Sequence, residues 1–332
     1  MTAMKTTLPA MSLVIPTWNG RTILQRFLPS VVREAARWQA AGGDAEVVIS
    51  DDGSSDDTLA WLARAFPQVR VTASPVNRGF AAAANAAVLH ARHEIVVLLN
   101  SDVEVLPGLL DVLPPHFDDA GLFGVTFRGM DLPGWDDPDG PGTPFFSTGG
   151  KLGRFRVGFW SVWDNYDAAA QDGRLLPTFF LHGGFCALRR SVFAELGGFD
   201  TEFSPYYWED VDLSYRARKR GWRVGYEPRA QVYHALSATV KRHRPPFARA
   251  VVTHRNRLLF HWMNLHGPSL ARQLVWSHLL LVQLALKGEF SYHCGWWQAV
   301  RRLPAVLQRR RRDAAWWVYD DEALAVKEGE SS

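Results

Sequence analysis

An unbroken apolar run, Ile95-Val96-Val97-Leu98-Leu99, stops abruptly at Asn100-Ser101-Asp102. A run without polar alternation fits a strand buried on both faces, as in a parallel sheet covered by helices. Open α/β sheets bind ligands just beyond the carboxyl ends of their strands. A carboxylate there, held by a buried strand, is suited to a cation. The same residues also suit a solvated turn in which Asp102 caps the next element. The stretch alone does not choose between the two, so the flanking sequence has to.

Upstream, apolar runs alternate with helical periodicity. Residues 12–15, 46–50 and 69–73 read as strands, and residues 21–41, 58–66 and 81–90 as helices. This alternation predicts a parallel, doubly wound sheet. Polar clusters fall just past the strand ends: Pro16-Thr17-Trp18 after the first and Asp51-Asp52 after the second. The aspartates could cap a helix. They also suit a nucleoside, because a carboxylate accepts from a pyrimidine N–H or a ribose hydroxyl, and Trp18 could stack on the base. No G-x-G-x-x-G and no G-x-x-x-x-G-K-[ST] is present, which argues against an NAD-binding Rossmann domain, a P-loop and a sugar nucleotidyltransferase with a glycine-rich loop.

Residues 129–148 are rich in Gly, Pro and Asp and read as a long loop, and 151–172 as irregular and aromatic. Residues 179–189 read as a strand interrupted by Gly183-Gly184, where a ligand or backbone can come close. Trp208-Glu209-Asp210 starts a helix, and carboxylates in a first turn are favoured by the helix dipole. Residues 222–226 and 231–234 read as closing strands, with His234 at the end of the second. A lone His there is more often a satisfied polar residue than a ligand.

From about residue 242 the chain becomes helical, basic and Trp-rich, and Pro245-Pro246 suggests a boundary. Residues 273–286 are almost wholly apolar but span only about 21 Å as a helix. With Trp296-Trp297, Arg309 to Arg312 and Trp316-Trp317, residues 273–317 suit an anionic membrane surface. They equally suit a helical cap with solvated arginines. The net charge of +3 gives no support to nucleic-acid binding. Cys186 and Cys294 form no framework, and the first ten residues lack a signal-peptide core. The expected location is cytoplasmic, peripheral on the inner face of the cell membrane.

Six stretches in order, VIPTWNG (14–20), VVISDDGSSDDT (47–58), NRGFAAAAN (77–85), VVLLNSDVEV (96–105), GGFCALRRSVFAELGGFDTEF (183–203) and WEDVDLSYRARKRGWRV (208–224), resemble the family 2 glycosyltransferases. The likeness covers residues 11 to 240 and is strongest to bacterial rhamnosyltransferase-like members of cell-surface polysaccharide synthesis. HRNRLLFHWMNL (254–265) resembles their tail more weakly.

The resemblance implies a GT-A fold: an α/β, doubly wound, mostly parallel sheet with a C-terminal helical extension. The expected division is a tail (1–10), a GT-A domain (11–242) and the extension (243–332). It further implies inverting, metal-dependent transfer from a nucleotide-diphosphate sugar to a glycan or lipid-linked glycan acceptor. Pro16, Thr17, Trp18, Asp51, Asp52, Arg78, Asn100 and Ser101 match the donor nucleotide site. Asp102 and His234 match ligands of Mg²⁺ or Mn²⁺, and imidazole suits Mn²⁺ better. Asn100 stands where many relatives carry a second acid. Asp210 matches the catalytic base, beside Glu209, and Gly183, Gly184 and Trp208 match the acceptor site. Asp210 is expected to have a raised pKa through repulsion from Glu209. The other reading is an inactive relative that binds nucleotide or glycan within a membrane assembly, against which Asp102 and Glu209-Asp210 argue.

Overall fold

A computed structural model describes residues 8–132, 149–156, 158–166, 173–235, 245–321 and 323–324. The loop expected at 129–148 therefore lies largely outside the described residues, as do 167–172 and 236–244.

In chain order the elements are β1 (Met11–Thr17), α1 (Arg21–Ala40), β2 (Ala45–Asp51), α2 (Thr58–Ala65), β3 (Arg70–Ala73), α3 (Phe80–His90), β4 (Ile95–Leu99), β5 (Val103–Val105), α4 (Pro114–Phe117), β6 (Leu122–Asp131), β7 (Gly150–Arg156), β8 (Phe159–Tyr166), β9 (Leu176–Pro177), β10 (Phe185–Arg189), α5 (Arg190–Glu195), α6 (Glu209–Lys219), β11 (Arg223–His234), α7 (Pro246–Asn264), α8 (Gly267–Leu286), α9 (Ser291–Val300) and α10 (Leu303–Asp313). The main sheet has the order β3-β2-β1-β4-β10-β6-β11-β5, with β9 on β11. Strands β3, β2, β1 and β4 pair in parallel. β10 runs antiparallel between β4 and β6, β11 is parallel to β6, and β5 is antiparallel to β11.

β4 shows why its sequence is apolar throughout. Ile95, Val97 and Leu99 enter the core under α1, while Val96 and Leu98 enter the opposite core under α3 and α6. Both faces are covered, so neither admits a polar residue.

Three expectations change. Of the segment expected to be irregular at 151–172, the described part forms strands, with β7 and β8 paired as a hairpin of their own. The strand expected over 179–189 starts only at Phe185, because Gly183 and Gly184 lie in a turn. The two closing strands are one long strand, β11, with a register irregularity between Glu227 and Gln231.

The C-terminal helices are fastened to the sheet domain by buried charge. Asp212, with no exposed surface, accepts from Arg216 (2.8 Å), Asn264 (2.8 Å) and Arg309 (2.5 Å). Arg309 also reaches Asp200 (2.9 Å) and Asp313 (3.2 Å). Burial works to raise the Asp212 carboxyl, but Arg309 and Arg216 outweigh it and hold it below the ordinary value. Arg310 donates to the carbonyls of Trp262 and Leu265. The Arg309 to Arg312 run is thus not a solvated face: its first two members are structural, while Arg311 and Arg312 are exposed. Pro245-Pro246 marks a change in composition, not a break in packing, since α7 to α10 share one core with α6 and the hairpin.

Removing one partner of such a group strands a buried charge at a cost of about 3–5 kcal/mol. Urea unfolding of Arg309→Ala should show a loss of that order, and Arg311→Ala a change within about 0.5 kcal/mol. The carboxyl of Asp212 is lowered, so this stabilisation is complete above the ordinary Asp range and is lost as pH falls through the lowered value. Equal effects of the two substitutions would contradict the arrangement.

Candidate functional site

A cleft of about 530 Å³ opens at the carboxyl ends of β1, β2 and β4. Pro16, Thr17, Trp18, Asp52, Asn100, Ser101, Asp102, Gly183, Gly184, Trp208, Glu209, Asp210 and His234 all line it. A second hollow of about 640 Å³ lies where β4 begins and β10 ends, beside Arg92, Glu94 and Arg189. The amino ends of parallel strands are not where α/β folds place ligands, and that hollow gathers no comparable set of groups.

The first wall comes from β1 and β2. Trp18 leaves 40% of its surface exposed at the cleft. Thr17 Oγ1 is buried without a hydrogen-bond partner among the described residues. Asp52 accepts the backbone N–H groups of Arg78 (3.0 Å) and Gly79 (2.7 Å), which ties the entry of α3 to the end of β2. Gly79 has φ +90°, where an L side chain is strained. Burial holds the Asp52 carboxyl above its ordinary value despite these bonds. Two expected residues do not line the cleft. Asp51 turns away and accepts from Ser54, and Ser54 Oγ accepts the N–H of Asn19, so Asp51 braces the β1 and β2 loops against each other. Arg78 contributes its backbone, with its side chain exposed at the rim.

The floor is set by β4 and β10. Asn100 N–H donates to Gly184 O (2.7 Å), and a Cβ on Gly184 would lie 2.7 Å from Asn100 Nδ2, so a side chain there would displace the Asn100 amide. Next to it, Gly183 N–H donates to Asp210 Oδ2 (3.0 Å). A short path of backbone therefore joins the end of β4 to the start of α6.

Asp102 and His234 meet because β5 pairs with β11 in a register that opposes Val103 and His234. His234 Nε2 lies 3.2 Å from Asp102 Oδ1. Both are nearly fully buried, and neither imidazole nitrogen makes a well-angled hydrogen bond among the described residues. Burial works to raise the Asp102 carboxyl, but the His234 ring outweighs it and keeps it low. One carboxylate and one imidazole, buried and open on one side to the cleft, form a donor set that fits Mn²⁺ better than Mg²⁺. No group of three His, Cys, Asp or Glu is gathered among the described residues, so a cation here would draw its remaining donors from ligand or water.

The third wall is the entry to α6. Tyr207 and Trp208 have φ of 73° and 76°, left-handed values that non-glycine residues rarely adopt. Asn256 of α7 holds them by donating to the carbonyls of Phe203 (2.6 Å), Tyr206 (2.9 Å) and Tyr207 (2.9 Å). Trp208 is only 2% exposed and packs on Phe260 and His261 of α7, so most of the ring expected in the acceptor site is core. This backbone turn points Glu209 and Asp210 into the cleft. Burial raises the Asp210 carboxyl against the N–H groups of Gly183 and Val211 and the charge of Lys151. Burial, then repulsion from Asp210, drives Glu209 well above its ordinary value. The expected cause is thus corrected: the repulsion falls on Glu209, and desolvation raises Asp210.

Of the residues that were missed, three bear on the chemistry of the cleft. His182, stacked on Phe185, accepts Gly184 N–H at Nδ1 (3.1 Å) and is pushed down to about 3 by burial, so the neutral ring carries its proton on Nε2. Phe80 lines the cleft between the first wall and Asp210. Lys151, 9% exposed, places a positive charge near Asp210 from β7. The first and last had a signal, a single polar residue in an apolar or glycine-rich stretch.

The profile of glycosyl transferase family 2 matches residues 12–197, and that of glycosyl transferase family group 2 matches residues 140–307. The chain is 28% identical over 271 residues to N-acetylglucosaminyl-diphospho-decaprenol L-rhamnosyltransferase of Mycobacterium tuberculosis, covering 74% of this chain and 82% of that protein. It is 27% identical to the pre-mycofactocin glycosyltransferase of the same species, over 67% of this chain and 42% of that one. Among solved structures, S. aureus TarS 1-349 superposes with a TM-score of 0.53 at 17% identity, covering 87% of this chain and 78% of that one. GalNAc-T7, solved with UDP, GalNAc and Mn²⁺, gives 0.56 at 18% identity, over 78% of this chain and 49% of that one. These two likenesses establish the GT-A fold alone. With a family profile running from the first strand through α5 and across the cleft's first wall and floor, the chain belongs to glycosyl transferase family 2.

Proposed function

We propose that the protein is an inverting, metal-dependent glycosyltransferase that moves a sugar from a nucleotide-diphosphate donor to a hydroxyl of a glycan or lipid-linked glycan, in cell-surface polysaccharide synthesis. The observation that carries this reading is the single cleft shared by Asp52, the Asp102–His234 pair and Asp210. The name of the mycobacterial relative, which acts on a sugar linked through diphosphate to decaprenol, supports a lipid-linked acceptor. GalNAc-T7 with UDP and Mn²⁺ supports a nucleotide and a divalent cation.

In this reading Trp18 and Asp52 receive the nucleoside, with Thr17 Oγ1 offering a buried hydroxyl. Asp102 and His234 are the residues that would hold Mn²⁺ or Mg²⁺, whose chemistry is neutralisation of the departing diphosphate as a Lewis acid. Gly183 and Gly184 let the acceptor approach closely. Asp210 accepts the proton of the acceptor hydroxyl as its oxygen bonds to the anomeric carbon and the bond to diphosphate breaks. Glu209, whose carboxyl burial raises well above its ordinary value, stands beside Asp210 within reach of an acceptor hydroxyl.

Asp210→Asn should lower kcat by about 10²–10⁴-fold while the donor-induced thermal shift stays the same. Transfer at the wild-type rate would remove Asp210 from this role. A base must be ionised, and burial raises Asp210, so the acidic limb of kcat/KM should lie above the range of a free Asp, about 3.9. Lys151→Met removes the charge that opposes this rise and should move the limb to higher pH, while Glu209→Gln should leave it in place. An unchanged limb in Lys151→Met would contradict the electrostatics described.

A thermal-shift screen of UDP-, GDP- and dTDP-sugars, with and without Mn²⁺, should reveal one nucleotide whose stabilisation increases with Mn²⁺. Asp102→Asn should abolish the Mn²⁺-dependent part and keep the nucleotide part. Stabilisation indifferent to Mn²⁺ would refute the cation seat.

A further inference from the structure

Helix α8 presents apolar side chains on both sides. Its fully buried residues are polar, Ser269, Gln273 and Ser277, while Leu270, Leu280, Leu281 and Leu284 pack partly buried against the C-terminal core. Gln273 accepts the indole N–H of Trp262 (3.0 Å), and Leu281 O contacts His293 Nε2 (2.8 Å). An outward stripe is apolar, with Val275 60% exposed, Leu279 51%, Val282 63% and Leu286 85%, and Arg272, His278 and Gln283 are exposed along its flanks. The spacing of four, three and four puts Val275, Leu279, Val282 and Leu286 in one stripe on the face opposite Gln273 and Ser277. No charged residue occurs between 273 and 286. Trp276, Phe290 and Trp297 are exposed close by in sequence. A contiguous apolar face of this kind marks an interaction surface.

Charge selects the occupant. From residue 267 to 312 the sequence carries eight Arg or Lys and one acid, Glu289. Of these, Arg272, Lys287, Arg301, Arg311 and Arg312 are exposed. A second copy of the chain would set these like charges against one another. An apolar stripe bordered by tryptophans and cations matches a bilayer with anionic headgroups, which accepts both the side chains and the charge. No helix among the described residues is long and apolar enough to cross a membrane, so α8 would lie in the interface.

We infer that the outer face of α8 docks the protein on an anionic lipid surface, with Val275, Leu279, Val282 and Leu286 entering the headgroup boundary. The inference rests on the proposed reading insofar as docking brings a lipid-linked acceptor to the cleft. α8 is seated against the β7–β8 hairpin: a Cβ on Gly158, at its tip, would meet Gln273 N at 2.3 Å. The same hairpin carries Lys151, whose charge reaches Asp210.

The test is sedimentation of the full chain with phosphatidylcholine vesicles, with and without phosphatidylglycerol, using wild type, Leu279→Glu/Val282→Glu and Arg272→Gln/Lys287→Gln. Wild type should sediment with the anionic vesicles and be released by salt. The acidic double variant should lose about tenfold or more of its partitioning, and the glutamine variant should lose part of its preference for phosphatidylglycerol. Transfer to a lipid-free acceptor should be equal in all three, because none of these residues lines the cleft. Failure of wild type to bind anionic vesicles at low salt would overturn the inference. So would undiminished binding by the acidic variant, or a wild-type dimer that the acidic variant converts to monomer. Vesicle binding without transfer to any acceptor would sink the catalytic reading and leave the docking surface standing.

Discussion

One turn of helix, residues 209–212, carries both the chemistry of the cleft and the anchor of the fold. Glu209 and Asp210 face the cleft, while Asp212 faces a fully buried set of cations and amides from α6, α7 and α10. The turn is entered through two left-handed residues, each costing of order 1–3 kcal/mol. Such a backbone persists only when its surroundings over-determine it, and here they do. Asn256 fixes the carbonyls before the turn, Trp208 is packed on α7, and Arg309 pins Asp212 behind it. The C-terminal helices thus hold Asp210 at the floor of the cleft.

The acids of the cleft are separated by environment. Asp102 is buried beside an imidazole and stays low, which suits the cation-binding role proposed for it. Asp210 is buried among backbone N–H groups and is raised, which suits the role of base proposed for it. Glu209, deeper and next to a carboxylate, is raised further. The divergence of neighbouring carboxylates is the usual mark of separate tasks within one site.

Most of the framework was legible in the sequence because it depends on local pattern. The residues of β4 must be apolar on both faces, and the helical spacing of α1 needs no tertiary knowledge. Thr17, Asp52 and Asp102 were legible because strand ends are where such sheets bind ligands, whereas Gly183, Gly184, Glu209, Asp210 and His234 were marked as site residues only by the family resemblance. The features that stayed hidden depend on long-range packing. Arg309 and Arg311 look alike in a basic run, yet one lies under three carboxylates and the other in water. Asp51 and Asp52 are adjacent, and only the loop reveals that Ser54 claims the first. The rise of Asp210 was expected, but its cause was not, since burial at a floor built by Gly183 cannot be read from its neighbour. The outward stripe of α8 was visible as an apolar run, but not which side would face out.

The central claim is a single displacement with Asp210 as the base and no enzymatic nucleophile. It is tested most directly by following the reaction by proton NMR, with the donor selected by thermal shift, and reading the anomeric configuration of the first-formed product. A single displacement predicts inversion relative to the donor from the earliest time point. Retention would require a second displacement through an enzymatic nucleophile, and would contradict the claim.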